Sequence, residues 1–231
     1  MATADRRRTP SGVDLIIALA LIWGFDAAVF AAIVLAFGLK EEAASPAAWL
    51  LGALLQWAWA FAVCWYFACR KYRRSFAEGF SIRRVPAAAI LMGAAIGILA
   101  AALASVLVWH FSQGKGAAPE TAVTPTATAL FCLMMLSVPV VEEIYYRSFI
   151  YGVLERKTGP ALAILIVALW FGTAHLTQTY GVWALVPFPY IMGVILTLLR
   201  HRTRSLVPSF ACHWAYNATL VAGALIQFAS D

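Results

Sequence analysis

The sequence predicts an all-α fold: a polytopic transmembrane helix bundle of about seven spans, with its N-terminus in the cytoplasm. Three observations point there. Of the 231 residues, 63% are hydrophobic and only 12% charged, and mean hydropathy is +0.81, whereas soluble domains carry about 25% charged residues. Apolar runs occur at roughly 14–39, 47–69, 85–110, 127–155, 160–180, 182–199 and 205–228, each near or above the ~20 residues that cross a bilayer as a helix. Of the 17 Lys and Arg, all but Lys40, Lys115 and Arg147 precede the first run or fall in alternate connections, the side that the positive-inside rule assigns to the cytoplasm.

The first run is too long for the apolar core of a cleavable signal peptide, so it reads as a retained helix. Asp14 opens it, where a carboxylate at a helix start is favourable; Asp26 lies deeper and has no evident partner. With the second run it forms an N-terminal unit, 1–75, that begins with Arg6, Arg7 and Arg8. A core of 76–231 follows. The third run is rich in Ala and Gly, which lets helices approach closely. The polar stretch 112–125 reads as an external loop. The fourth run is interrupted by charge. The fifth and sixth are separated only by the weakly polar "LTQTYGVW", and Pro208 predicts an irregular start to the seventh. The four cysteines show no zinc or redox spacing and read as small buried hydrophobes. The net charge of +6 is accounted for by topology and implies no nucleic-acid partner.

The informative charges are those left inside the spans. "VPVVEEIYYRSF" (138–149) holds Glu142, Glu143 and Arg147. Each costs about 2.5–3.5 kcal/mol at mid-membrane on insertion scales. Glu143 and Arg147 are i, i+4 with the acid first, so they can pair on one helix face. Glu142 has no such neighbour and must meet water or a group from another helix. His175 lies at similar depth, about 22 Å from Pro160 against about 21 Å from Arg156 to Glu142. His213 is expected to be shallower, about 13 Å above Arg204. His213 and Asn217 share one face of the last span by i, i+4 spacing, and Phe171 and His175 are spaced alike on the fifth.

A carboxylate with a matched histidine can take a proton from water, while a second histidine and an asparagine can stabilise an oxyanion. No serine or cysteine nucleophile stands out, and neither Gly-x-Ser-x-Gly nor HExxH is present. Glu142, His175 and His213 also make a His₂Glu set for zinc, so metal-activated and glutamate-activated water stay open on spacing alone. Intramembrane Glu and His also build proton relays, which keeps a proton-coupled transporter as the alternative. So is a catalytically silent immunity or scaffold protein on the same fold.

"EEIYYR" fits EExxxR, "FGTAH" fits FxxxH and "HWAYN" fits HxxxN, in that order. Together they resemble the CPBP family of intramembrane proteases, which includes the type II CAAX prenyl endopeptidases and the bacterial Abi-domain proteins. "SLVPSFACHWAYNA" is similar to the family's last core segment and "SFAEGFSIRR" to the linker before its core. The resemblance covers roughly 76–225, with the motif-bearing spans at 127–225. It implies that Glu142 and His175 activate the attacking water, that His213 and Asn217 form the oxyanion site, and that Glu143, Arg147 and Phe171 support them. It implies an intramembrane endopeptidase of glutamate type, with no cofactor preferred and zinc as the alternative. The expected partners are the lipid bilayer and a membrane-associated peptide or protein, cut near its C-terminus. The short, alanine-rich chain points to a bacterial inner (plasma) membrane.

Overall fold

A computed structural model of the chain describes residues 9–37, 46–111, 125–176 and 183–230. Arg6, Arg7, Arg8, Lys40 and Lys115, most of the 112–125 loop and residues 177–182 within "LTQTYGVW" lie outside the described residues. The described residues form helices and short connections, with no strand among them.

Helix α1 (Gly12–Phe37) starts on a capping box. The Ser11 amide donates to Asp14 Oδ2 at 2.7 Å, and the Asp14 amide donates to Ser11 Oγ at 3.2 Å. Lys71 and Tyr72 also donate to this carboxylate, so Asp14 ties the start of α1 to the end of the next helix. The bond to Asp14 raises the pKa of Lys71, which keeps the ammonium charged. Helix α2 (Pro46–Trp65) continues as a π-helical turn, Tyr66–Arg70. It packs along α1 through the stacked rings of Phe25 and Trp59, 5.2 Å apart. The Trp59 indole also donates to the Leu21 carbonyl at 3.0 Å.

Helix α3 (Phe76–Gly79) is one turn held by the Ser75–Glu78 capping box. Helix α4 (Ala87–Phe111) buries Gly93, Gly97, Ala101 and Ala104. Helix α5 (Pro125–Glu142) passes into a π-helical segment, Glu143–Ile150, and then into α6 (Tyr151–Thr158). Gly159, at φ 79°, makes the turn that only glycine takes without strain. Helix α7 (Pro160–Ala174) begins on proline at a first-turn position. A 3₁₀ turn, Trp183–Leu185, leads to α8 (Pro187–Thr203), and left-handed Arg204 separates α8 from α9 (Leu206–Ser230).

Among the described residues, five helical segments are long and apolar enough to cross a membrane: Gly12–Ala36, Leu50–Arg70, Ala87–Phe111, Thr128–Thr158 and Trp183–Thr203. The other two expected spans are α7, 15 residues long, and α9, 25 residues long but interrupted by His213, Tyr216 and Asn217. The outer surface is apolar, with Leu35 86%, Trp109 71% and Ile226 71% exposed, as lipid-facing side chains should be.

Helix α4 lies directly against the backbone of α9. A Cβ added at Gly93 would lie 2.4 Å from the Pro208 carbonyl oxygen, and one at Gly97 would lie 2.1 Å from that of Cys212. Only glycine permits this approach, and it sets where α9 stands. The innermost core contains Phe80, Phe149, Ile150, Tyr151 and Leu196, and the charged pair Glu143 and Arg147 is buried with them. Cys64, Cys69 and Cys212 are buried, Cys132 is half-buried, and all four are free thiols.

Candidate active site

The site forms where the π-helical segment meets the end of α7 and the first turns of α9. Pro139 starts the irregularity. It sits inside α5 and has no amide hydrogen to donate to the carbonyl four residues back. That carbonyl belongs to Met135, and Asn217 Nδ2 donates to it at 2.7 Å. Four residues after the proline, at Glu143, the chain changes to π winding, shown by the Tyr151 amide bonding to Tyr146 O. Single π segments inside α-helices are frequent at functional sites. A π turn holds more residues and rises less per residue, so the climb from Arg156 to Glu142 is shorter than an α-helix would give. This helps close the depth gap expected between Glu142 and His213.

Glu142 stands between two imidazoles. Its Oε1 is 3.5 Å from His175 Nε2 and its Oε2 is 3.7 Å from His213 Nε2. Its side chain is 20% exposed and that of His175 15%, so the group is reachable. Oε2 has no hydrogen-bond partner among the described residues.

His175 was expected within a helix. It is instead the C-terminal cap of α7, which ends at Ala174. The cause is local. His175 Nδ1 bonds the Phe171 carbonyl at 2.7 Å, the acceptor its own amide would take in a continuing α-helix. The amide turns to Gly172 O at 3.1 Å. A carbonyl accepts only, so Nδ1 carries a proton and Nε2 faces Glu142, offering a lone pair whenever the ring is neutral.

His213 is held by the second glutamate. Its Nδ1 lies 3.0 Å from Glu143 Oε1, and Ser209 Oγ donates to Glu143 Oε2. Glu143 also meets Arg147 Nη1 at 3.1 Å, with both side chains 0% exposed. The expected i, i+4 pair therefore forms, but Glu143 serves three partners, two of them on α9. Arg147 Nε, Nη1 and Nη2 have no aligned hydrogen-bond acceptor among the described residues. Its cation is covered instead by the Phe171 ring at 4.1 Å and the Tyr146 ring at 5.5 Å.

Phe171 is thus the hub of the aromatic side of the site. Besides Arg147, its ring lies 4.1 Å from that of His175 and 5.9 Å from that of His213.

Glu142, Glu143, Arg147, Phe171, His175 and His213 form one connected cluster, and Asn217 braces the helix that carries it. Asp26 lies outside it. Sequence reasoning missed Ser209 and the Asn217–Met135 contact. Ser209, His213 and Asn217 recur at i, i+4 on α9, so one helical face held the signal. Two imidazoles and a carboxylate are donors that zinc accepts. Among the described residues, however, no group of three or more His, Cys, Asp or Glu is placed to hold a metal ion.

Residues 124–219 match the family described as Rce1-like, type II CAAX prenyl endopeptidase Rce1-like. A curated relative, UPF0177 protein YbdJ from Lactococcus lactis subsp. lactis (strain IL1403), is 27% identical over 124 residues, covering 50% of this chain and 51% of the relative. The chain thus spans about half the length of the curated relative it matches. No solved structure matches.

Proposed function

Because residues 124–219 match the Rce1-like family of type II CAAX prenyl endopeptidases, we propose that the chain is an intramembrane endopeptidase that hydrolyses a membrane-associated protein or peptide. The observation that carries this reading is the Glu142 carboxylate facing the Nε2 atoms of His175 and His213 at 3.5 and 3.7 Å. These gaps exceed an ordinary hydrogen bond, but a water about 2.8 Å from both atoms of either pair completes a triangle.

In the proposed reaction, Glu142 takes a proton from that water as its oxygen adds to the scissile carbonyl carbon. His175, its ring fixed through Nδ1 to Phe171, orients the water through Nε2. The negative charge gathers on the carbonyl oxygen. His213 donates at Nδ1 to Glu143, so it offers a second donor at Nε2 only when the ring carries both protons, with Glu143 as counter-charge. Asn217 spends one amide hydrogen on Met135 and has a second for the oxyanion. As the C–N bond breaks, Glu142 passes its proton to the leaving amine. Buried Glu143, Arg147 and Ser209 hold the assembly without touching substrate.

All seven apolar helices cross a bacterial inner membrane in this reading, with the N-terminus cytoplasmic and the substrate cut near its C-terminus. Support comes from the basic connections gathered at one end of the bundle. The test compares the membrane peptidome of cells producing the wild-type chain with that of cells producing Glu142→Gln. Wild-type-specific C-terminal fragments are expected; identical peptidomes would reject the proposal.

A further inference from the structure

A recess of about 330 Å³ opens at the end of the bundle where the basic connections gather, away from Glu142. It is lined by Thr9, Arg74, Ala77, Glu78, Ile82 and Arg83. The apolar span of α2 ends at Arg70 and that of α4 begins at Ala87. The connection between them, which carries most of the recess, therefore stands at the level of lipid headgroups. We propose that this recess binds the phosphate headgroup of an anionic phospholipid.

The arginines are held by fixed backbone. The Arg83 amide donates to Ser205 Oγ at 3.2 Å, and that hydroxyl donates to the Arg83 carbonyl at 2.9 Å. The Arg74 amide donates to Cys69 O at 2.9 Å, and its Nη2 donates to Glu78 O. Two left-handed non-glycine residues, Arg73 at φ 52° and Ser81 at φ 55°, bracket α3. Such backbone is costly and persists only where the surroundings hold it. Here it turns α3 back under the end of the bundle.

The recess also has the polarity of a lipid at the interface. The Arg74 and Arg83 guanidiniums match phosphate oxygens. Ala77 and half-exposed Ile82 supply the apolar wall that a glycerol backbone would meet. Phe76, next to Ala77 in the chain and 46% exposed, rests edge-on against Phe80, 4.8 Å away. The one acid lining the recess, Glu78, already accepts from the Ser75 amide at 3.1 Å. Nearby Asp14 is paired with Lys71. The local field is positive, as an anionic headgroup requires.

The test uses the full chain in detergent, with native mass spectrometry and thermal melting. Phosphatidylglycerol is expected to bind about tenfold more tightly than phosphatidylcholine, the effect of one charge-assisted contact. It should also raise Tm. Arg74→Gln/Arg83→Gln should lose this preference, whereas Arg202→Gln, an exposed arginine outside the recess, should keep it. Arg83→Gln alone retains the Arg74–Glu78 contact and should lose part of the preference. Equal binding of the two lipids by the wild type would overturn the proposal. So would an undiminished preference in the arginine variants, or equal stabilisation by inorganic phosphate alone.

Discussion

Asn217 and Met135 are joined by a hydrogen bond of 2.7 Å between the Asn217 amide and the Met135 carbonyl. Pro139 leaves that carbonyl without its helical donor, so a polar residue on α9 repairs a gap in α5. Asn217→Leu should therefore leave a part-buried carbonyl on an apolar helix unpaired, at a cost of about 1–3 kcal/mol. Thermal melting of the purified protein reads this. Adding Pro139→Ala restores an amide at position 139 and should recover much of the lost stability. Recovery of stability without recovery of proteolysis would show that Asn217 also acts on the substrate; no recovery of stability would sink the repair.

Glu142→Gln keeps the size and removes the base. Proteolysis should fall about 10²–10⁴-fold, the usual contribution of a general base, with a melting curve close to wild type. Single-turnover rates on an identified substrate measure this. Undiminished turnover would place the base elsewhere.

Glu143 should behave differently. Replacing it with Ala strands fully buried Arg147, for which about 3–5 kcal/mol is expected. Expression and melting temperature should drop together with activity. Ser209→Ala removes one donor to the Glu143 carboxylate and should cost less, about 1.5–3 kcal/mol, while slowing turnover by loosening the carboxylate that holds His213. A Glu143→Ala protein that melts like wild type would contradict the buried network.

Gly97→Ala should push α9 away from α4, because the added Cβ would meet the Cys212 carbonyl at 2.1 Å. Overpacking of this kind costs about 1–3 kcal/mol. Cys212 adjoins His213, so activity should fall further than stability alone explains. Gly24→Ala, with nothing within 4 Å of the added atom, serves as the control and should leave both unchanged.

If glutamate activates the water, proteolysis should persist in strong chelator after exhaustive dialysis. Loss of activity with chelator, restored by about one equivalent of zinc, would instead assign Glu142, His175 and His213 to a metal. Elemental analysis of the purified protein accompanies the assay.

Much of this was legible in the chain. Long apolar runs pointed to the all-helical class, because a backbone in lipid must satisfy its hydrogen bonds within helices. The i, i+4 pairing of Glu143 and Arg147 followed from spacing. So did the isolation of Glu142, since a carboxyl group without a local partner must find one across the bundle. The stopping point of α7 was not legible. It depends on whether the His175 ring or the His175 amide takes the Phe171 carbonyl, and both fit the same letters.

The sequence by itself determined which charges could not be left alone in lipid: Glu143 and Arg147, which can pair on one face, and Glu142, which had to reach water or another helix, with His175 and His213 as the candidates. Their cost of burial is a property of side-chain type and needs no coordinates. Only the tertiary structure decided how they are shared. It gave Glu143 to His213 and Ser209 as well as to Arg147, and it gave Asn217 to the carbonyl freed by Pro139. Those choices depend on the angular position of each side chain about its helix. The π winding after Glu142 and the glycine contact that seats α9 set those angles, and both act between segments far apart in the chain.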